Sequence, residues 1–162
     1  MKNMKQIKKK RVILNQIKTS FPAKSINESL SRMIAASIVC QLDPTIDELA
    51  DIKTAVSEAV TNCVVHAYKK KQSSTDIIQI ECVLYSGAIE VTVTDRGVGI
   101  KDIDKAMEPF FTTEPDGERS GMGFTVMQSF MDDVSVNNKS GGGTVVVMKK
   151  YFTKEEKKAS GE

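Results

Sequence analysis

Between Asp47 and Tyr68, in DELADIKTAVSEAVTNCVVHAY, the apolar residues Leu49, Ile52, Val56, Ala59, Val60 and Cys63 recur at steps of three and four. That is the period of an amphipathic helix with one buried stripe, and the rest of the fold has to be built against it. Glu58 and Asn62 stand four residues apart, point away from the stripe and lie side by side on the opposite face. A carboxylate beside a carboxamide can take a proton and hold a metal ion, although two polar residues at this spacing also describe an ordinary solvated face. The remaining sequence has to decide between the two.

Ahead of this helix, Val12 to Phe21 (VILNQIKTSF) is rich in β-branched and apolar residues and reads as a strand closed by Pro22. Ser25 or Asn27 offers a cap to a first helix, whose apolar face is Ile26, Leu30, Met33, Ile34 and Ile38 and which runs to about Gln41. Glu28, Ser29 and Arg32 lie off that face. In the loop LDPT, Pro44 stops the first helix, and Thr45 with Glu48 fits a capping box that starts the long helix near Ile46.

After the polar KKKQSSTD, the segments IIQIECVLYS and AIEVTVTD read as two strands of a hairpin turning at Ser86 and Gly87. Alternation of Ile89, Val91 and Val93 with Glu90, Thr92 and Thr94 predicts a sheet with one face more polar than the other. KDIDKAMEPFFTTEPDGERSGMG is only weakly periodic, with room for one short helix, and a long irregular segment in a small domain is more often functional than idle. From Gly123, the residues Phe124, Val126, Met127, Phe130 and Met131 fall at helical spacing, and VSVNNKSGGGTVVVMKKYF reads as a closing hairpin with a glycine-rich turn. Hairpin strands with helices able to cover one face predict an α+β fold. The expected architecture is a two-layer α/β sandwich with a mixed, mostly antiparallel sheet and helices on one face, not a doubly wound parallel sheet.

The 162 residues, 40% of them hydrophobic, suit one domain with a real core. Its expected extent is residues 12–152, between a basic arm at 1–11 and a polar tail at 153–162. Residues 1–24 hold eight Lys or Arg and no acid, and taking those from the chain's 23 leaves 15 basic against 21 acidic groups, a balance of −6 for the body. The arm comes without aromatic interleaving or a DNA-reading motif, so no direct contact with nucleic acid is expected. No apolar run is long enough to span a bilayer and the N-terminus lacks a signal-peptide core, so the expected place is the cytoplasm, away from membranes. Cys40, Cys63 and Cys82 are odd in number and form no CxxC pair, which points to buried free thiols rather than a disulfide framework or a zinc site.

Neither a P-loop nor a GxGxxG after a first strand is present, so the two common phosphate-binding schemes are absent. Other candidates exist. Asp95 ends a strand and is followed by Gly97 and Gly99: a carboxylate there can accept an exocyclic amine, and the glycines let a flat ring approach the backbone. Arg119, Ser120, Gly121, Met122 and Gly123 precede a helix, whose first N–H groups and dipole attract phosphate while Arg119 offers a fork of donors. Gly143 and Thr144 precede the last strand, with the threonine hydroxyl available near a base. His66 follows Asn62 by four residues and is either a further lining residue or a structural histidine. Each pattern alone also describes an ordinary turn.

Together and in this order, ExxxN on a helix, DxGxG after a strand, GxG opening a helix and GT before a last strand resemble the N, G1, G2 and G3 boxes of the Bergerat-fold ATPases and kinases, which include gyrase and the histidine kinases. SEAVTNCVVHAY and FFTTEPDGERSGMGFTVMQSFMDDVSV narrow the resemblance to the bacterial anti-sigma factor serine kinases, in their sporulation branch, over about residues 12–152. That resemblance implies an ATP-dependent protein serine kinase that binds and inhibits an RNA polymerase sigma factor and phosphorylates a seryl residue of an anti-anti-sigma factor. It implies Glu58 as general base, Asn62 as ligand of Mg²⁺ on the ATP phosphates, and Arg119 at the γ-phosphate. Asp95 would read adenine, with Gly97, Gly99 and Thr144 beside it. Thr113, Ser120, Gly121, Met122 and Gly123 would contact ATP or ADP from a lid. Glu28 and Arg32 would meet protein partners, and the family's dimeric habit implies a homodimer.

Two other functions fit the same residues. One is a nucleotide-gated sigma-binding module without significant kinase activity, against which the intact ExxxN and lid both weigh. The other is the ATP-binding domain of a histidine kinase, disfavoured because the chain has no second histidine and no dimerisation helix pair to accept phosphate.

Overall fold

The computed structural model of the protein describes residues 12–68, 73–110 and 121–152, so both the basic arm and the polar tail fall outside the described residues. The chain runs β1 (Ile13–Pro22), α1 (Asn27–Val39), a 3-10 turn (Cys40–Leu42), α2 (Ile46–Asn62) and a π-helical turn (Cys63–Ala67). It continues through β2 (Ile77–Tyr85), β3 (Ala88–Thr94), α3 (Ile103–Ala106), α4 (Gly123–Phe130), β4 (Asp133–Asn138) and β5 (Thr144–Tyr151). The strands form one sheet in the order β1-β2-β3-β5-β4, and every neighbouring pair is antiparallel. The expected α+β sandwich is present, with an antiparallel rather than a mixed sheet. The crossover from β3 to β4 does join strands of the same direction, but β5 returns between them and separates the two.

One face of the sheet carries the core. Ile78, Ile80, Cys82 and Leu84 of β2 are buried in strict alternation with half-buried Gln79, Glu81 and Val83, and in β3 Val91 and Val93 are buried between Glu90, Thr92 and Thr94. Against that face lies α2. Its Ile52, Val56, Ala59 and Val60 are fully buried as the spacing predicts, joined by Ala55, while Leu49 is packed at the margin. The capping box forms: Thr45 Oγ1 accepts the Glu48 N–H at 3.1 Å, and the Thr45 N–H donates to Glu48 Oε2 at 2.8 Å. Lys150 ties three elements together, donating to Asp51 Oδ2 of α2 at 2.9 Å and to the Phe130 carbonyl of α4 at 2.7 Å.

The first helix keeps only part of its expected face: Ile38 is buried and Ile34 packs against the core, but the other three residues do not. Ile26, Leu30 and Met33 are 80%, 46% and 62% exposed, and the buried residues are Ser31, Ala35, Ile38 and Val39. Both sets have helical period, and the small one wins because Ser31 and Ala35 let α1 lie close on α2, where Leu and Met would hold it off. Ser31 satisfies its buried hydroxyl by donating to the Glu28 carbonyl at 2.7 Å. Nor does Ser25 or Asn27 cap the helix. Ile26 occupies the N-cap without a side-chain bond, and Asn27 Nδ2 donates instead to the Pro22 carbonyl at 2.7 Å.

Two further expectations shift. The α-helical part of the Asp47–Tyr68 stretch ends at Asn62, and Cys63–Ala67 widens into a π turn closed by the Tyr68 N–H on the Cys63 carbonyl. Of the three free thiols Cys63 and Cys82 are buried, but Cys40, in the 3-10 turn, is exposed. Burial pushes the Cys82 thiol pKa up to about 12. No described helix is long and apolar enough to cross a membrane.

Candidate functional site

Because the apolar stripe of α2 faces the sheet, Glu58 and Asn62 are left half-buried on its other side. What meets them there is the start of α4. A Cβ added to Gly123 would lie 3.2 Å from Glu58 Oε2 and 3.2 Å from Asn62 Oδ1, so the glycine is what lets the helix begin against this pair. Met122, at the N-cap, makes no side-chain cap bond. The flank of α4 at Gly123 therefore lies against the carboxylate and carboxamide of α2, and the first-turn N–H groups of α4, which have no side-chain cap at Met122, start beside that pair. Gly121 leads in with φ 67°. Thr113, Arg119 and Ser120 lie outside the described residues.

At the end of β3 a second centre forms around Asp95, which is 3% exposed. Its Oδ1 accepts the Gly97 N–H at 2.8 Å and the Thr144 N–H at 3.2 Å, and its Oδ2 accepts the Cys63 thiol at 3.6 Å. Burial holds the Asp95 carboxyl above the usual carboxylate range, against the opposing pull of the two N–H groups, the thiol and the more distant Lys139. Burial, and then the Asp95 charge, push the Cys63 thiol well above its ordinary value.

Close backbone approach explains two of the glycines here. A Cβ at Gly97 would overlap the Ala67 carbonyl, which also accepts the Val98 N–H at 3.2 Å, and a Cβ at Gly143 would overlap the carbonyl of Asp95 itself. Gly99 lies against the Asn138 amide, and Thr144 is buried beside Asp95. The motifs read from sequence as DxGxG and GT are thus two halves of one packed corner.

Three residues of that corner carry no motif in the sequence. Cys63 is one. Tyr68 is the second: its hydroxyl donates to the Ile77 carbonyl at 2.6 Å and accepts the Arg96 N–H at 2.8 Å, fixing the residue after Asp95. Asn138 is the third, pairing both backbone groups of Ile100, with Oδ1 accepting the N–H at 2.8 Å and Nδ2 donating to the carbonyl at 2.7 Å. The π turn joins the first two, running from Cys63 beneath Asp95 through Ala67 against Gly97 to Tyr68 at Arg96. His66 is half-buried on the same turn, no longer in α-helical register with Asn62.

Arg32 donates through Nη1 to Ser57 Oγ at 2.9 Å and through Nη2 to Ser29 Oγ at 2.8 Å. With Lys53, Thr54, Ser57 and Glu58 it lines an open cleft of about 310 Å³ between α1 and α2, so Arg32 borders the same cleft as Glu58, while Glu28 sits in the first turn of α1. Among the described residues no three His, Cys, Asp or Glu side chains converge to hold a metal. A divalent ion held through one carboxamide oxygen with phosphate and water oxygens fits this donor set. That is the habit of Mg²⁺, which keeps waters and takes few protein ligands.

An antiparallel sheet backed by helices, with Asp95 in a packed corner at the end of β3 and α4 starting at Gly123 beside Glu58 and Asn62, is the arrangement of a histidine kinase-like ATPase domain, and residues 21–150 match that family. The chain is also 51% identical over 125 residues to an anti-sigma F factor of Clostridium botulinum, covering 77% of this chain and 86% of that protein. Over 124 residues it is 53% identical to an anti-sigma F factor of Caldanaerobacter subterraneus, covering 76% and 85%. The chain belongs to the anti-sigma F factor family of histidine kinase-like ATPase domains. Solved structures similar in fold include the RsbU and RsbW domains of Rv1364c from Mycobacterium tuberculosis, with TM-score 0.59 and 17% identity over 85% of this chain and 32% of that one. The SiaB-SiaC complex from Pseudomonas aeruginosa matches with TM-score 0.61 and 10% identity, over 85% and 89%.

Proposed function

We propose that the protein is an ATP-dependent protein serine kinase that doubles as an anti-sigma factor, holding an RNA polymerase sigma factor inactive and phosphorylating a seryl residue of the anti-anti-sigma factor that releases it. The observation that supports this most is the meeting of Glu58, Asn62 and the first turn of α4 at Gly123. It supports Glu58 as proton acceptor, Asn62 as cation ligand and the start of α4 as anion cradle, the set that phosphoryl transfer needs close together. The names of the relatives support the sigma-binding half.

In this reading Asp95 accepts the exocyclic amine of adenine, Gly97 and Gly99 flank the base, and Thr144 supports the carboxylate. Gly121, Met122 and Gly123 present backbone N–H groups to the phosphates, and Thr113, Ser120 and Arg119 are the further proposed contacts, Arg119 at the γ-phosphate. Glu58 takes the proton of the attacking serine hydroxyl. Asn62 holds Mg²⁺, which when bound neutralises charge on the transferring group. The cleft lined by Arg32 and Lys53 opens beside Glu58, where the acceptor segment has to arrive, and this supports Arg32, with Glu28, as a partner contact. A homodimer is the proposed assembly.

The test is transfer of the γ-phosphate to a small antagonist protein. Wild type is expected to give acid-stable phosphoserine. Glu58→Ala is expected to bind ATP but to transfer about 10²- to 10⁴-fold more slowly, the usual contribution of a positioned base. Asn62→Ala is expected to lose both Mg²⁺-dependent binding and transfer. Equal labelling by wild type and Glu58→Ala removes Glu58 as the base. Tight binding of ATP and sigma factor with no labelling at all makes the protein a nucleotide-gated sigma-binding module.

A further inference from the structure

The Cys63 thiol is a buried polar group of the site to which the proposed chemistry gives no task. It opens the π turn directly after Asn62 and is 4% exposed. Three donors around Asp95 are engaged on the carboxylate: the Gly97 and Thr144 N–H groups on Oδ1, the Cys63 S–H on Oδ2. A carboxylate has about four acceptor positions, so Oδ2 keeps one for an incoming N–H, while none of these three donors remains for an incoming carbonyl. Any turn of the carboxylate short of the half-turn that merely interchanges its two equivalent oxygens loses one or more of these three bonds.

We propose that Cys63 is a positioning residue for base selectivity, its thiol fixing Asp95 Oδ2 as a lone acceptor so that the pocket takes purines with an exocyclic amine at C6 and rejects those with a carbonyl there. The proposal rests on the reading of Asp95 as the group that meets the base. A site whose open polar atom is an acceptor leaves that acceptor unpaired against a carbonyl, and buried mismatches of this kind are what produce large discrimination. Taking the S–H away frees space beside Oδ2. A water can then enter and donate to a carbonyl in its place, so that discrimination falls.

The experiment measures the affinities of ADP and IDP, which differ at C6, for the full chain and its variants by titration calorimetry. Wild type is expected to prefer ADP. Cys63→Ala should reduce the ADP/IDP affinity ratio about three- to tenfold, the span of one hydrogen bond's net contribution. Cys63→Ser, nearly the same size but with a hydroxyl donor, should restore the ratio to within about twofold of wild type. A merely space-filling thiol moves both nucleotides alike and gives Ala and Ser variants the same ratio, which overturns the proposal. If Cys63→Ala does not fold, the pair Cys63→Thr and Cys63→Val repeats the comparison at larger volume: a higher ratio for Thr supports the proposal and equal ratios overturn it. Asp95→Asn separates the levels. An unchanged ADP affinity there sinks the reading of Asp95 itself, whereas a lost ADP preference with unaltered ratios in the Cys63 variants sinks only the role of the thiol.

Discussion

Asp95, proposed to meet the base, shows what a buried carboxylate costs a fold. Its carboxylate is buried at 3% exposure, and burial raises its pKa despite two N–H donors and a thiol. A carboxyl whose folded pKa lies above its unfolded one contributes no penalty below the unfolded value, where both states are protonated. The penalty grows as pH rises and is complete above the folded value. Asp95→Asn keeps an oxygen for the Gly97 and Thr144 N–H groups and discards the buried charge. We expect it to stabilise the nucleotide-free protein by about 0.5–1 kcal/mol at pH 7–8, in the manner of other substitutions that relieve a strained functional site. The gain should vanish as pH falls through the raised pKa towards the usual carboxylate range, while ADP binding is lost throughout. Urea unfolding at a series of pH values checks it, and a destabilised variant at pH 8 refutes it. Glu58, Asn62, Asp95, Gly97 and Gly123 are legible in the sequence as candidates because each has a local signature, a helical spacing or a glycine in a fixed place. Cys63, Tyr68 and Asn138 are not, because their partners lie 32, 28 and 38 residues away and only the tertiary fold brings them together.

Elements divide in the same way, by whether their cause is local. The start of α2 is readable because a capping box is complete within four residues, and both of its bonds form. Thr45→Ala removes the oxygen that accepts the Glu48 N–H and is expected to cost about 1 kcal/mol, lowering the melting temperature by roughly 2–4 °C for a domain of this size. Thr45→Ser or Thr45→Asp should keep most of that stability, and a melt in which Ala, Ser and Asp variants coincide would exclude the cap as the cause. The buried face of α1 is not readable from apolar spacing, since Ile26, Leu30 and Met33 satisfy the same period as Ser31, Ala35 and Ile38. The contest is settled by how closely α1 can approach α2, a property of the pair rather than of either sequence. The π turn is likewise invisible to a period of 3.6. It follows from fitting Cys63 beneath Asp95 and the Ala67 carbonyl against Gly97, both contacts made with a loop more than 25 residues further on.

For the molecule as a whole, the surface that the core does not explain is at the β1 edge. In the order β1-β2-β3-β5-β4, β1 pairs on one side only among the described residues, and the chain at its start exposes Val12, Ile13 and Leu14 at 67%, 53% and 54%. An exposed apolar edge strand offers unpaired N–H and carbonyl groups beside a hydrophobic face, a liability that soluble proteins cover or charge. A second copy of this chain covers it in the proposed homodimer, an occupant favoured because the unpaired edge and the apolar side chains occur on the same strand. Leu14→Glu places a charge where the partner copy would pack. Because Leu14 is already solvent-facing in the single chain, the substitution should change the stability of the isolated subunit by no more than about 0.5 kcal/mol. It should nevertheless shift the sedimenting species from twice the chain mass to once the chain mass at micromolar concentration. Leu14→Met, volume-conserving and apolar, should leave the dimer in place. Sedimentation equilibrium over a hundredfold range of concentration distinguishes the outcomes. A Leu14→Glu protein that still sediments as a dimer would mean that the β1 edge is not where two copies meet, and would turn the search to other exposed apolar residues, such as Ile26, Leu30 and Met33 around α1.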